Sequence, residues 1–436
     1  MDKYFLDNEN KCSCGIVHYC PADVYTGSGA IQNLSRVITD FGAEKIFLLA
    51  DENTYAAAGE RVEKVLSELG KDYSIYCYKK SPHPDEAATE AAFEACPDGA
   101  DLIIGIGSGV INDIGKLISS RLGVRYVIVA TAPSMDGYAS SSSSMTVGGL
   151  KKSLPSKIPD VIIGDTDILK TAPTKMLVSG IGDMLAKYVG LSEWKIGQII
   201  TGEYYCDKVY EFMKNATESV VEAAKKYGVN SDVAVERIFA GLVAAGFAMS
   251  YANSTRPASG AEHYISHIYD MRGAAFGAYT EMHGIQAALG TLVCIELYEE
   301  LTKHTPNKEK ALYAVKNFSL ADWQDELLGL VGVSAGGEMI ELEAKENKYS
   351  KAEHAARLEV IIENWNEILE IIKGLPKLSE LQDFCRQIGL PTSLADAGLD
   401  ERILPKVISA TRDIRDKYVL SRLIFDLGLC EIYEGK

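Results

Sequence analysis

Four short apolar runs without polar alternation dominate the first third of the chain. They are Lys45-Ile-Phe-Leu-Leu-Ala50, Asp101-Leu-Ile-Ile-Gly-Ile-Gly107, Arg125-Tyr-Val-Ile-Val-Ala-Thr131 and Asp160-Val-Ile-Ile-Gly164. A strand wetted on one face alternates apolar and polar residues, so a run that does not alternate is buried on both faces, as in a parallel sheet covered by helices. Helical stretches fall between the runs, at 60–69 and 84–96, and this strand–helix–strand order predicts a doubly wound α/β sheet. After Pro173 the strand-like runs nearly vanish. Helical patterns replace them at 174–195, 231–251, 283–302, 351–373 and 404–427. The expected organisation is an α/β domain over 1–172 and an all-α domain over 173–436, with no Pro/Gly/Ser-rich spacer between them. Five serines, Ser140 to Ser144, stand before Met145-Thr-Val-Gly-Gly149, and that position predicts an ordered hairpin.

Composition narrows the function. Of 436 residues, 47% are hydrophobic and 24% charged, which is globular usage and too apolar for a disordered chain. The 44 basic and 61 acidic residues leave a net charge of −17. Nucleic acid and anionic lipid need a basic face, so neither is an expected partner. No uninterrupted apolar run approaches the roughly 18 to 20 residues that cross a bilayer. The first ten residues carry charges and no signal-peptide core. These features predict a cytoplasmic protein. The nine cysteines agree with a reducing compartment. Six are scattered in periodic segments. Cys12-Ser-Cys14, His18 and Cys20 cluster and resemble a zinc module, although Cys-x-Cys departs from the usual Cys-x2–4-Cys spacing and a plain strand and turn also fits.

Three segments carry candidate chemistry. Gly105-Ile-Gly107-Ser108-Gly109-Val110-Ile111-Asn-Asp-Ile-Gly-Lys116 follows a buried strand and opens a helix. Glycines there admit a ligand close to the backbone, and the helix start offers free N–H groups to a phosphate; a tight turn without a ligand has the same residues. Asp51 ends an earlier strand, where it can accept from an adenosine ribose or cap the following helix. Thr131-Ala-Pro-Ser134-Met-Asp136-Gly-Tyr-Ala-Ser140 turns at another strand's carboxyl end. Finally, three of seven histidines fall within 262–283. His263 and His267 share a helical face, His283 begins the next helix, and Asp183 lies in Gly180-Ile-Gly-Asp183. A carboxylate with two or three imidazoles suits zinc, nickel or iron.

In their order, Thr131–Ser140, Gly180–Asp183, Arg256-Pro-Ala-Ser-Gly-Ala-Glu-His263 and His283-Gly284 resemble the sn-glycerol-1-phosphate dehydrogenases of the iron-containing alcohol dehydrogenase and dehydroquinate synthase-like superfamily. The bacterial AraM-type members are the nearer likeness, through Cys12-Ser-Cys-Gly and Ile414-Arg-Asp-Lys-Tyr418, and the similarity runs from about Tyr25 to Leu429. The resemblance implies a Rossmann-like N-terminal domain, a helical C-terminal domain, NAD or NADP, one divalent metal (Zn, Ni or Fe), a small phosphorylated substrate and a homodimer. It implies that Gly107, Ser108, Gly109, Val110 and Ile111 line the cofactor pyrophosphate, with Ser108 where the family usually has glycine. Thr131, Ser134 and Ser140 would contact the nicotinamide half. Asp183, His263 and His283 would hold the metal, with Asp183 also facing substrate. Asp136 and His267 would meet substrate as catalytic groups. Arg256, Lys151 and Lys152 are candidate cations for a substrate phosphate. A dehydrogenase of an unphosphorylated polyol such as glycerol, a dehydroquinate synthase-like lyase or cyclase, and a non-catalytic nucleotide-binding subunit are the alternatives.

Overall fold

The uninterrupted runs become the interior of one sheet. The computed structural model describes residues 11–147 and 150–434; the first ten residues, Gly148, Gly149, Gly435, Lys436 and the side chains of Leu150 and Lys151 lie outside the described residues. In chain order the strands are β1 (Asp23–Gly27), β2 (Lys45–Asp51), β3 (Asp72–Tyr78), β4 (Leu102–Gly107), β5 (Arg125–Ala130), β6 (Ser142–Val147), β7 (Leu150–Pro155) and β8 (Val161–Asp165). Six of them form a sheet in the order β1-β8-β5-β4-β2-β3, parallel throughout. The four predicted runs are the four interior strands. The two edge strands, β1 and β3, are half exposed and carry mixed sequences such as Asp72-Tyr-Ser-Ile-Tyr-Cys-Tyr78, so no apolar run marks them.

The topology creates one special point. From β2 the chain moves outward to β3, returns to the opposite side of β2 as β4, and continues away through β5 and β8. The direction of winding therefore reverses between the carboxyl ends of β2 and β4. Open α/β sheets bind ligands in the crevice that such a reversal leaves. The serine segment forms the expected hairpin, β6 antiparallel to β7. It is pinned to the helix Gly109–Leu122: the Ser143 hydroxyl donates to the Asp113 carbonyl (3.0 Å) and the Ser144 N–H to Asp113 Oδ2 (3.2 Å).

Packing divides the chain into two compact units, 1–184 with 215–254, and 185–214 with 255–436. The last strand ends at Asp165, yet the first unit also takes in the helix that begins at Thr174, as far as Met184, and the helix Asp232–Ala252. Asp232–Ala252 is long and apolar enough to cross a membrane by length and composition, with a mean hydropathy of 1.5, and 67% of that window is buried inside the protein. Its apolarity serves the core: Phe239 packs edge-on against Tyr138, and a Cβ on Gly246 would press into Ala139.

The second unit is helical. Three stretches expected to be continuous helices are broken; 174–195 divides at Ala186 into Thr174–Leu185 and Lys187–Thr201. The stretch 351–373 becomes Lys351–Glu363 and Trp365–Lys373, separated at Asn364, whose side-chain amide bonds the Val360 carbonyl (2.8 Å). The stretch 404–427 becomes Leu404–Ala410, a short 3-10 turn and Leu420–Asp426. The interruption places Asp413, fully buried, where Trp323 Nε1 (2.8 Å), the Tyr349 hydroxyl (2.7 Å) and Arg422 (3.3 Å) all reach it. A buried carboxylate needs such partners, and here that need overrides helical periodicity.

Candidate active site

Within the sheet unit, the site grows from strand ends. Gly105 on β4 and Gly115 on the helix Gly109–Leu122 both lie against the Tyr126 ring of β5, and a Cβ on either would overlap it. Glycine at both positions lets the helix pack close behind the strand. Gly107 and Ser108 then turn the chain into that helix. Ser108 occupies the N-cap without a side-chain hydrogen bond, so the first helical N–H groups are not capped by its hydroxyl. Ile111 is buried beneath the turn, while Ser108, Gly109 and Val110 retain part exposure.

Asp51 ends β2, beside this turn across the reversal, and it is a helix cap. Its Oδ1 accepts from the Thr54 N–H (2.9 Å), Thr54 Oγ1 accepts from the Asp51 N–H (3.0 Å), and its Oδ2 accepts from the Ser81 hydroxyl (2.9 Å). The capping alternative weighed on sequence is thus what the structure shows, with the carboxylate held rigidly at the strand's carboxyl end.

The segment 131–140 is anchored from two sides. The Thr131 N–H donates to the Gly107 carbonyl (3.0 Å), which ties the two turns together. A Cβ on Gly180 would overlap the Pro133 carbonyl, and the Ser179 hydroxyl donates to the Ser134 carbonyl (3.1 Å). Gly180 therefore lets the helix Thr174–Leu185 lie directly on the turn. That contact brings Asp183, fully buried, to the Asp136 N–H, which donates to its Oδ2 (3.0 Å).

On the other side stands Lys116, a residue to which sequence reasoning gave no role. It is fully buried, pairs with Asp113 (3.0 Å), and donates to Ser140 Oγ (3.1 Å) and the Ser142 carbonyl (2.6 Å). Ser140 in turn donates to the Ser142 carbonyl (2.7 Å). The signal available in the sequence was a single cation among the apolar positions of that helix, three residues after Asp113.

Within the helical unit, two helices assemble the imidazoles. The helix Ala261–Phe276 carries His263 and His267, and the helix His283–Leu301 starts at His283. A Cβ on Gly290 would overlap the Glu262 carbonyl, so glycine permits close approach of the two helices. The His263 and His283 rings lie 5.2 Å apart, centre to centre, with ligand atoms within 4.8 Å of each other. The His267 ring is 6.4 Å from His263 and 6.1 Å from His283.

Glu262 sets the tautomer. Its Oε1 lies 2.8 Å from His263 Nδ1 and accepts from the Gly260 N–H (2.7 Å). A carboxylate oxygen accepts, so Nδ1 carries the hydrogen and Nε2 keeps the ligating lone pair. His283 Nδ1 faces Ser266 Oγ at 3.4 Å, and Gln286 links that hydroxyl (3.2 Å) to Asp270 (2.8 Å). Behind Glu262 sits Glu193, whose carboxyl is pushed well up by burial and by the Glu262 charge, against N–H bonds from Leu420 (2.8 Å) and Ala261 (3.0 Å). Sequence reasoning gave neither glutamate a role, although Glu262 directly precedes a candidate ligand.

Arg256, weighed as a phosphate cation, is buried and committed elsewhere. Its guanidinium forms a two-point ion pair with Glu203, one arm at 2.7 Å, and donates to the Tyr418 carbonyl (2.8 Å). Lys152 lies on β7, in the hairpin.

Residues 25–173 match the family model described as iron-containing alcohol dehydrogenase. The chain is 24% identical over 431 residues to a glycerol-1-phosphate dehydrogenase [NAD(P)+] of Bacillus licheniformis, covering 98% of this chain and 94% of the relative. It is 32% identical over 286 residues to a glycerol-1-phosphate dehydrogenase [NAD(P)+] of Hyperthermus butylicus, covering 64% of this chain and 78% of that relative. Among solved structures, an iron-containing alcohol dehydrogenase from Thermococcus thioreducens superimposes with a TM-score of 0.60 at 15% identity, over 96% of this chain and all of the other. That likeness is one of fold.

Proposed function

The chain belongs to the glycerol-1-phosphate dehydrogenase family of the iron-containing alcohol dehydrogenases, and from that premise we propose that it interconverts dihydroxyacetone phosphate and sn-glycerol 1-phosphate with NAD(P). The observation that carries this reading is the imidazole pair His263–His283, with His263 fixed by Glu262 in the tautomer a metal requires. Asp183, His263 and His283 are the proposed protein ligands of one divalent ion, zinc, nickel or iron. Their donor chemistry fits: each imidazole has one nitrogen facing a partner that orients it, and Asp183 is oriented by a backbone N–H. Three protein ligands leave a position for substrate. Bound, the ion supplies Lewis-acid polarisation of the substrate oxygen, and the nicotinamide carries the hydride.

The chain's own residues do the rest. Gly107, Ser108, Gly109, Val110 and Ile111 offer backbone N–H groups to the cofactor pyrophosphate at the β2–β4 reversal, as the uncapped helix start supports. Asp51, rigid beside them, would accept from an adenosine ribose and repel a 2′-phosphate, which favours NAD. Thr131, Ser134 and Ser140 serve the nicotinamide half. Lys116 holds Ser140 in place, so a hydroxyl that could rotate in solution is fixed. Asp136 and His267 would meet substrate, and the His267 imidazole, beside the His263 and His283 rings, would pass the proton. The enzyme is read as a cytoplasmic homodimer acting on a small phosphorylated substrate.

His283→Ala tests the ligand set. The expected result is loss of about one bound ion per chain and a fall in turnover of at least about a hundredfold. A variant that keeps both its metal and its turnover contradicts the assignment.

A further inference from the structure

We propose that Cys12, Cys14 and His18 form a second metal site, a zinc site of thiolate and imidazole ligands that fastens the segment before β1 to the sheet unit. The local chain builds it. The Gly15 N–H donates to the Cys12 carbonyl (2.8 Å) and the Cys12 N–H donates to the Ile16 carbonyl (2.9 Å), which closes a tight knuckle. Gly15 has φ +90°, a conformation that side chains oppose, so glycine after Cys14 is what lets the turn form. The knuckle substitutes for the wider Cys-x2–4-Cys spacing by folding two thiols, two residues apart, toward one place.

The third ligand comes from the same unit. His18 Nε2 lies 3.5 Å from Cys14 Sγ, and one ligand atom from each of Cys12, Cys14 and His18 falls within 4.8 Å of the others. Bonds of about 2.0–2.3 Å in a tetrahedron place ligand atoms roughly 3.5 Å apart, so little movement is needed to close on an ion. The imidazole is already oriented. His18 is 2% exposed, and its Nδ1 lies 3.0 Å from the Tyr251 carbonyl in the helix Asp232–Ala252. A carbonyl accepts only, so Nδ1 carries the hydrogen and the Nε2 lone pair faces the thiols, the arrangement found in histidines that ligate metals.

Cys20, also buried, is not in this cluster; its thiol is pushed up to about 11 by burial. Soft thiolates with an imidazole select zinc over the hard ions, and binding releases the two thiol protons to solvent. A fourth donor, water or a further thiolate, completes the tetrahedron. Because the ligands sit in the folded unit, an ion bound there stabilises the fold and need take no part in turnover.

Zinc-edge X-ray absorption on the reduced, zinc-loaded full chain decides the matter without mutation. Sulfur scatterers at about 2.3 Å alongside nitrogen or oxygen are expected. A spectrum fitted by nitrogen and oxygen alone overturns the site. Cys12→Ser with Cys14→Ser should lower bound zinc from about two to about one ion per chain, remove the sulfur scatterers and lower Tm by several degrees, while NAD(P)-linked turnover persists. Unchanged zinc content in that variant also overturns it. Should the variant fail to fold, cobalt substitution of the unaltered chain replaces it: a thiolate-to-cobalt band in the near ultraviolet is expected, and its absence refutes the proposal.

Discussion

His263 is committed to one tautomer by a neighbour one residue away, the Glu262 carboxylate that accepts from its Nδ1–H. The cluster of His263, His267 and His283 was legible because imidazoles are rare and the i, i+4 interval has a fixed meaning on a helix. The roles of Glu262, Glu193 and Lys116 were not, because a buried charge is explained only by the partner that meets it in space. Lys417 makes the same point and gives a test. Burial pushes its ammonium down to about 7, and repulsion from Arg256 adds to this against partial compensation from Glu262, Glu193 and Glu203; its Nζ bonds the Ser259 carbonyl (2.9 Å). The unfolded chain releases this proton near the ordinary 10.5, so between about 7 and 10.5 the unfolded state binds more protons and stability rises with pH. Below about 7 both states are protonated and the desolvation penalty is constant. Urea denaturation at pH 7 and pH 9 should show the unaltered chain gaining about 1–2 kcal/mol more than Lys417→Met over that interval, after discounting for solvent screening. Equal gains in the two proteins would contradict the assignment.

Among the elements, burial decided what the sequence could disclose. β2, β4, β5 and β8 were legible because interior parallel strands leave no polar alternation to confuse them. The edges β1 and β3 were not, since a half-exposed strand reads like a loop. Helix continuity over 404–427 failed for a different reason: the ion network around Asp413 sets the backbone there. Close packing of helices was visible only as glycines without an assigned purpose. Gly290 supplies the prediction at this scale. Gly290→Ala forces a methyl against the Glu262 backbone, next to His263, and neither side can yield by a rotamer change. It should cost about 1–3 kcal/mol of stability. Metal held by the active-site histidines should be lost to a competing chelator at least about tenfold more readily. A variant unchanged in both denaturation midpoint and chelator competition would show that the two helices do not depend on this contact.

For the whole molecule, the order of the chain and the grouping of its packing differ. The change from strands, the last of which ends at Asp165, to helices was legible from composition and period. The return of 215–254 to the sheet unit was not, because an apolar helix announces that it is buried and not which core receives it. The net charge of −17 bears on substrate as well: an acidic surface gives a phosphorylated ketone no general attraction, so discrimination for it must come from local groups. The most direct test is NADH oxidation by chelator-stripped protein re-supplied with zinc, nickel or iron, with dihydroxyacetone phosphate and dihydroxyacetone compared as substrates. The proposed function requires turnover that returns with metal and strongly prefers the phosphorylated ketone. Folded protein that stays silent with every ion, or that turns over only the unphosphorylated ketone, would contradict it.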